Sequence, residues 1–210
     1  MQPAHYDFLI IGSGFGGSVS ALRLVEKGYR VAVLEQGSDF GAGDFAQTNW
    51  DLRKWLWMPR LGFRGILQLR FFRHVTVLAG AGVGGGSLGY ACTLPTPKAS
   101  FFQASSWAHL ADWQAELAPH YRTAKRMLGV ARVPRLFTAD RLLQQVARAR
   151  GQADKFQIPE VGIYFGSAGQ AASDPYFEGR GPERHGCRFC GACMTGCRHD
   201  AKNTLDKNYL

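Results

Sequence analysis

Three observations place the chain in the α/β class: an apolar run at Phe8–Ile11, a glycine-rich hexamer directly after it at Gly12–Gly17, and a second apolar run at Val31–Leu34 followed by Glu35. Short apolar runs bounded by turn residues make buried parallel strands. Between them Val19, Leu22 and Val25 recur at helical spacing, and Gly28 stands where a helix ends in a left-handed cap. Strand, glycine turn, helix and strand follow one another within thirty residues, the order of a Rossmann-like βαβ core. Further helices are added downstream.

Length and composition narrow the class. The chain has 210 residues, 46% hydrophobic and 20% charged, with no repeat and no low-complexity tract, which gives a globular protein of one domain or two small ones. A net charge of +9 raises the question of nucleic acid, yet the 25 Lys and Arg are dispersed. In the densest stretches, Arg60–Arg73 and Arg141–Arg150, they alternate with apolar residues as on a solvated helix face, so no nucleic-acid partner is expected. Met1–His5 carries no basic leader, and Phe8–Ile11 is too short for a signal peptide. The charges inside Trp50–His74 forbid a transmembrane helix there. The expectation is a cytoplasmic protein without a membrane span, with peripheral membrane contact open for residues 50–74.

Further along, Phe40–His74 is irregular and aromatic and takes no definite element. Val75–Leu78 reads as a strand. Ser106–Leu117 and Pro119–Leu128 read as two helices, with Pro119 at a first-turn position, and Asp140–Arg150 as a third closed by Gly151. Phe156–Phe165 reads as extended, and Gly166–Gly186 as a loop leading to the cysteines.

The hexamer Gly12-Ser13-Gly14-Phe15-Gly16-Gly17 matches G-x-G-x-x-G, with the strand before it and the helix after it that the motif requires. Gly12 permits a tight turn, Gly14 lets the backbone approach a pyrophosphate, and Gly17 lets helix and strand pack closely, which leaves the phosphates on the helix N-terminus. Glu35, 18 residues after Gly17, is placed to accept hydrogen bonds from ribose hydroxyls and disfavours a 2′-phosphate. A second glycine-rich stretch, Gly80-Ala81-Gly82-Val83-Gly84-Gly85-Gly86-Ser87-Leu88, lets the backbone come close to something bound.

Four of the five cysteines fall in Cys187-x-x-Cys190-x-x-Cys193-x-x-x-Cys197, the spacing of a bacterial ferredoxin run. The usual proline after the fourth cysteine is Arg198 here, and in ferredoxins that fourth thiolate serves a different cluster. Three readings stand open: one four-cysteine 4Fe-4S cluster, a tetrahedral zinc, or a pair of reversible disulfides. Arg188, Arg198, His199 and Lys202 either offset thiolate charge or are solvated. Cys92 reads as a small buried hydrophobe.

Residues 1–37, the Gly80–Ser87 stretch and the tail from Cys187 together resemble the glucose–methanol–choline (GMC) flavin oxidoreductases, in their cholesterol-oxidase-like bacterial branch. Gly82-Val83-Gly84-Gly85-Gly86-Ser87-Leu88 is the most specific of these matches. The resemblance implies FAD, with this loop beside the flavin, and oxidation of an alcohol CH–OH group by hydride transfer to flavin N5. Two positions depart from the pattern: Ala81 where a basic residue is common, and Tyr90 where some cholesterol oxidases carry Asn, which puts a steroid substrate in question.

The resemblance also implies that family members are about twice this length or more, with their catalytic His and its partner in a C-terminal half. The chain is therefore expected to be an N-terminal portion with no catalytic residue of its own. Its expected division is an FAD-binding portion over 1–98, including a lid-like excursion at 40–74; a substrate-side part over 99–186; and a cysteine-rich segment over 187–210 that returns to the FAD side. The expected partners are a small alcohol or sterol and an electron acceptor. The alternatives are a dehydrogenase passing electrons to an acceptor other than O2, and a non-catalytic module holding nucleotide or metal.

Overall fold

A computed structural model describes residues 5–210. Strands β1 (Phe8–Ile11) and β2 (Val31–Leu34) pair in parallel, Phe8 opposite Val31 through Ile11 opposite Leu34, with helix α1 (Phe15–Glu26) as the crossover. Gly28 ends the helix at φ +88°, donating to the Val25 carbonyl. The βαβ unit thus forms as the sequence predicts, but its strands are not buried on both faces. Helix α1 covers the side that carries Ile10, whereas Leu9, Ile11 and Leu34 on the other side are 60, 85 and 56% exposed. The pair has no further strand beside it and no layer over that second face among the described residues.

The excursion at 40–74 is more regular than expected. Helix α2 (Leu52–Trp55) leads into β3 (Trp57–Met58), which pairs antiparallel with β4 (Phe63–Arg64). Strands β5 (Leu67–Phe71) and β6 (Thr76–Gly80) form an antiparallel hairpin that delivers the chain into the second glycine loop. Phe45, Ile66, Leu67 and Leu88 make a small core there, with Phe40 and Trp55 packed on it. Trp50, Phe71 and Phe72 stay outside. Part of the aromatic content is therefore core and part is surface.

Helix α3 (Ala99–Phe102) precedes α4 (Trp113–Met127), a single helix where two were expected. Residues 105–110 are turns, held by the Trp107 indole donating to the Phe101 carbonyl and the Trp113 indole donating to that of Trp107. Asp112, accepting from the Ala115 amide at 3.1 Å, starts the helix instead. Pro119 lies inside it and removes one hydrogen bond without ending it.

Strand β7 (Ala131–Arg132) pairs with β8 (Glu160–Val161) in the stretch expected to be extended, where Val161 also bridges to Thr93 and Ile163 to Lys202. Between β7 and β8, α5 (Thr138–Ala149) is introduced by Asp140, which accepts from the Phe137 amide. Strands β9 (Ala171–Ala172) and β10 (Arg184–His185) form a short antiparallel pair, and α6 (Leu205–Asn208) closes the chain. No helix of the described residues is long and apolar enough to cross a membrane.

Candidate functional site

The three expected roles in the first glycine loop separate cleanly. Gly12 turns the chain at φ +93°. A Cβ on Gly17 would lie 1.9 Å from the Gly12 carbonyl oxygen, so helix and strand touch there without room for a side chain. Gly14 and Gly16, by contrast, face open space, with nothing within 4 Å of an added Cβ. Gly14 is the N-cap of α1 and supplies no side-chain cap, which leaves the helix N-terminus to a ligand.

Ser13, 1% exposed, ties this loop to two others. Its amide and hydroxyl both donate to Glu35 Oε2, at 2.9 and 2.7 Å, and its hydroxyl accepts from the Gly84 amide at 3.1 Å. Glu35 Oε1 takes the Gly37 amide at 2.9 Å. Burial alone would raise the Glu35 carboxyl, but these donors outweigh it and hold the group below the ordinary glutamate value. Glu35 is therefore more than a free ribose acceptor. Most of its capacity holds the two loops in register, with acceptor capacity left at Oε1.

The second loop lies directly on the first. A Cβ on Gly85 would come within 2.6 Å of Gly14 Cα, so the two backbones form one wall. Gly82, Gly84, Gly85, Ser87 and Leu88 are buried, and Val83 and Gly86 are half-buried. The Ser87 hydroxyl donates to the Gly84 carbonyl and accepts the Leu205 amide, which pins the loop to the end of the chain. Beside it Asp206 Oδ1 is buried with no hydrogen-bond partner, 3.0 Å from where a Gly84 Cβ would sit. Burial pushes that carboxyl up. An open face over two glycines and an orphaned acceptor at the loop are the features a bound dinucleotide would use.

Behind this loop stand the cysteines. Cys187, Cys190, Cys193 and Cys197 all line one cavity of about 190 Å³, and none of the chain's cysteines is in a disulfide. Among the described residues no three Cys, His, Asp or Glu side chains converge as a single ion demands. Cys92 is fully buried, as expected, but it packs against Cys193. A hydrogen bond with the Cys92 thiol, reinforced by the Lys202 charge, pulls Cys193 down to about 6, and the same contact pushes Cys92 up.

Lys202 is not solvated. It is 1% exposed, and its ammonium donates to the carbonyls of Leu88, Tyr90 and Cys193 at 2.8, 2.9 and 2.9 Å. Tyr90 lies under that ammonium and edge-on to Phe15, and so bridges the cavity and the glycine cradle. Sequence reasoning left Cys92 and Asp206 out of the site, named Lys202 only as either an offset to thiolate charge or solvated, and named Tyr90 only as a departure from the family pattern.

Paired glycine loops on a βαβ unit define a dinucleotide-binding α/β protein. Residues 10–53 match the family described as NAD(P)-binding Rossmann-like domain. The chain is 57% identical to a cholesterol oxidase of Mycobacterium tuberculosis (strain ATCC 25618 / H37Rv), over 100% of this chain and 37% of that protein. It is 50% identical to a cholesterol oxidase of Acinetobacter baumannii, over 98% of this chain and 38% of that one. To the long-chain-alcohol oxidase FAO4B of Arabidopsis thaliana it is 27% identical over 97% of this chain and 24% of that one. Nearly the whole of this chain is thus similar to a part of each of these oxidases. It spans a little over a third of the length of the two cholesterol oxidases.

Proposed function

We propose that this chain is the FAD-holding portion of an oxidoreductase acting on the CH–OH group of an apolar alcohol, a sterol foremost. One observation carries the reading: Gly14 and Gly85 share a backbone wall while Gly14 and Gly16 face open space. Gly12, Gly14, Gly16 and Gly17 with the α1 N-terminus would hold the pyrophosphate, and Glu35 a ribose hydroxyl. Gly82–Leu88 would bed the isoalloxazine, and Asp206 would accept from a ligand hydroxyl. Bound FAD supplies the hydride acceptor, its N5. The names of the relatives, cholesterol oxidase and long-chain-alcohol oxidase, support an apolar alcohol.

The test is FAD binding followed by flavin fluorescence quenching, together with an activity screen of the intact protein on sterols, long-chain alkanols and sugars. FAD binding that Gly14→Ala abolishes, with sterol turnover, is expected. Binding of NAD in place of FAD, or turnover of sugars alone, would overturn the reading.

A second reading, the same oxidation with an acceptor other than O2, is favoured by the cysteine-lined cavity behind the loop. Sterol-dependent dye reduction without peroxide release separates the two. Access to the substrate is proposed along Trp50, Leu52, Phe71 and Phe72, exposed among Arg53, Lys54, Arg70 and Arg73 and suited to an anionic membrane surface. Liposome co-sedimentation unchanged by Trp50→Ala with Phe71→Ala removes that edge.

A further inference from the structure

We infer that Cys187, Cys190, Cys193 and Cys197 form the binding site of a 4Fe-4S cluster, set directly behind the second glycine loop with Lys202 as its buried counter-charge. The assignment stands on residues other than those that would hold FAD, so metal content and flavin content test the two readings separately.

Four features point to this occupant. The first is the cavity. A half-open pocket of about 190 Å³ is lined by all four cysteines, by apolar residues such as Val161, Ile163 and Phe165, and by the cationic side chains of Arg188 and Lys202. A mostly apolar pocket suits a compact inorganic core better than water, which needs polar partners.

The second is sulfur spacing. All four cysteines line one pocket at the sequence spacing of a ferredoxin run, although among the described residues no three of them converge as a single ion demands. The backbone is already bent for this wrap, with positive φ at Phe189, Gly191 and Gly196, and the Phe189 amide donates to Cys187 Sγ at 3.3 Å. Amide donors to cluster sulfurs are one of the levers by which proteins set cluster potentials.

The third is charge. All three Lys202 donors are used by the carbonyls of Leu88, Tyr90 and Cys193 rather than by a carboxylate. Buried charges are normally paired. Four thiolates around an oxidised 4Fe-4S core leave a net negative charge, and Lys202 and Arg188 both line the cavity.

The fourth is cover. Phe165 and Phe189 stack at 5.5 Å between centroids, and the Arg135 guanidinium lies 4.1 Å over Phe189 and 4.6 Å over Phe137. Cys190 alone of the four is exposed, which leaves one edge of the site to the outside.

The test is anaerobic purification of the intact protein from iron-replete cells, reconstitution with ferrous iron and sulfide, and assay of iron, zinc, acid-labile sulfide and flavin on one sample, with electron paramagnetic resonance after dithionite. About four iron and four sulfide per chain and a reduced-cluster signal are expected. Cys193→Ser should lose both while keeping the far-ultraviolet circular dichroism and urea midpoint of the wild type, which control for folding. Lys202→Met should move the midpoint potential to more negative values, because the added electron loses its nearby cation. Zinc in place of iron, disulfides in the anaerobic protein, no iron after reconstitution, or full iron in Cys193→Ser would each overturn the assignment. An unchanged potential in Lys202→Met would overturn the counter-charge.

Discussion

Gly14 and Gly17 stand three residues apart and answer to different demands. Gly14 has ordinary extended angles, φ −69° and ψ −171°, and open space before it. Gly14→Ala should keep the fold within about 1 kcal/mol and weaken FAD binding at least tenfold, about 1.4 kcal/mol, as read by urea titration and by flavin fluorescence. Gly17→Ala puts a methyl into the Gly12 carbonyl and should destabilise the fold by about 1–3 kcal/mol, visible in the urea midpoint without ligand. Equal effects of the two on stability would contradict this division.

Glu35 gives a pH dependence. Its folded carboxyl lies below the ordinary value, so the stability it contributes is present above the ordinary glutamate pKa and is lost as pH falls through the lowered folded one. Glu35→Gln should therefore be less stable than wild type near neutral pH, by about 1–3 kcal/mol for hydrogen bonds to a charged acceptor, and the gap should narrow on acidification. A gap that is constant with pH would count against a charged Glu35. The turn at Gly12 and the close approach at Gly17 were legible because they depend on near neighbours in sequence, whereas the bonds that tie Glu35 to Ser13 were not. Ser13 was legible only as a loop position, since both of its partner loops are fixed by distant contacts.

At the scale of elements, α4 shows how capping and propensity compete. The expected break at Pro119 rested on the rule that proline favours a first turn. Asp112 and the two indole-to-carbonyl bonds before it settle the start six residues earlier, and the helix runs through Pro119 with that residue exposed. Pro119→Ala restores one amide donor toward Ala115 and should raise stability, by up to about 3 kcal/mol, read as a higher Tm. A lower Tm would mean that the proline bend is needed for packing. The β5–β6 hairpin was half-legible, since β6 carries a run of β-formers. Its partner β5 alternates with Gln and Arg, and pairing is decided by a register that composition does not express.

At the scale of the whole chain, the uncovered face of β1 and β2 has a physical consequence. Leu9, Ile11 and Leu34 form an apolar strip on a two-stranded sheet with open edges, the arrangement that promotes association. The 210-residue polypeptide should self-associate with rising concentration, and Ile11→Thr should reduce this in sedimentation experiments. A monomer at every concentration would show that the strip is covered. The sequence marked these strands as doubly buried, which is how parallel strands read when a full sheet surrounds them. The grouping of the four cysteines was legible from their spacing, whereas the meeting of Cys92, Tyr90 and Lys202 behind the glycine loop was not, because it joins segments more than a hundred residues apart.

That meeting also sets an order in time. The Lys202 ammonium reaches back 114 residues to the Leu88 carbonyl and 112 to that of Tyr90. At a synthesis rate of roughly 5–20 residues per second, the glycine loop leaves the ribosome on the order of 6–22 s before the lysine that fastens it. The βαβ unit needs no such wait, since its strands and helix are complete within the first thirty-four residues. In a growing chain the first loop can thus form early, and the wall it shares with the second is finished only when the residues around Lys202 arrive.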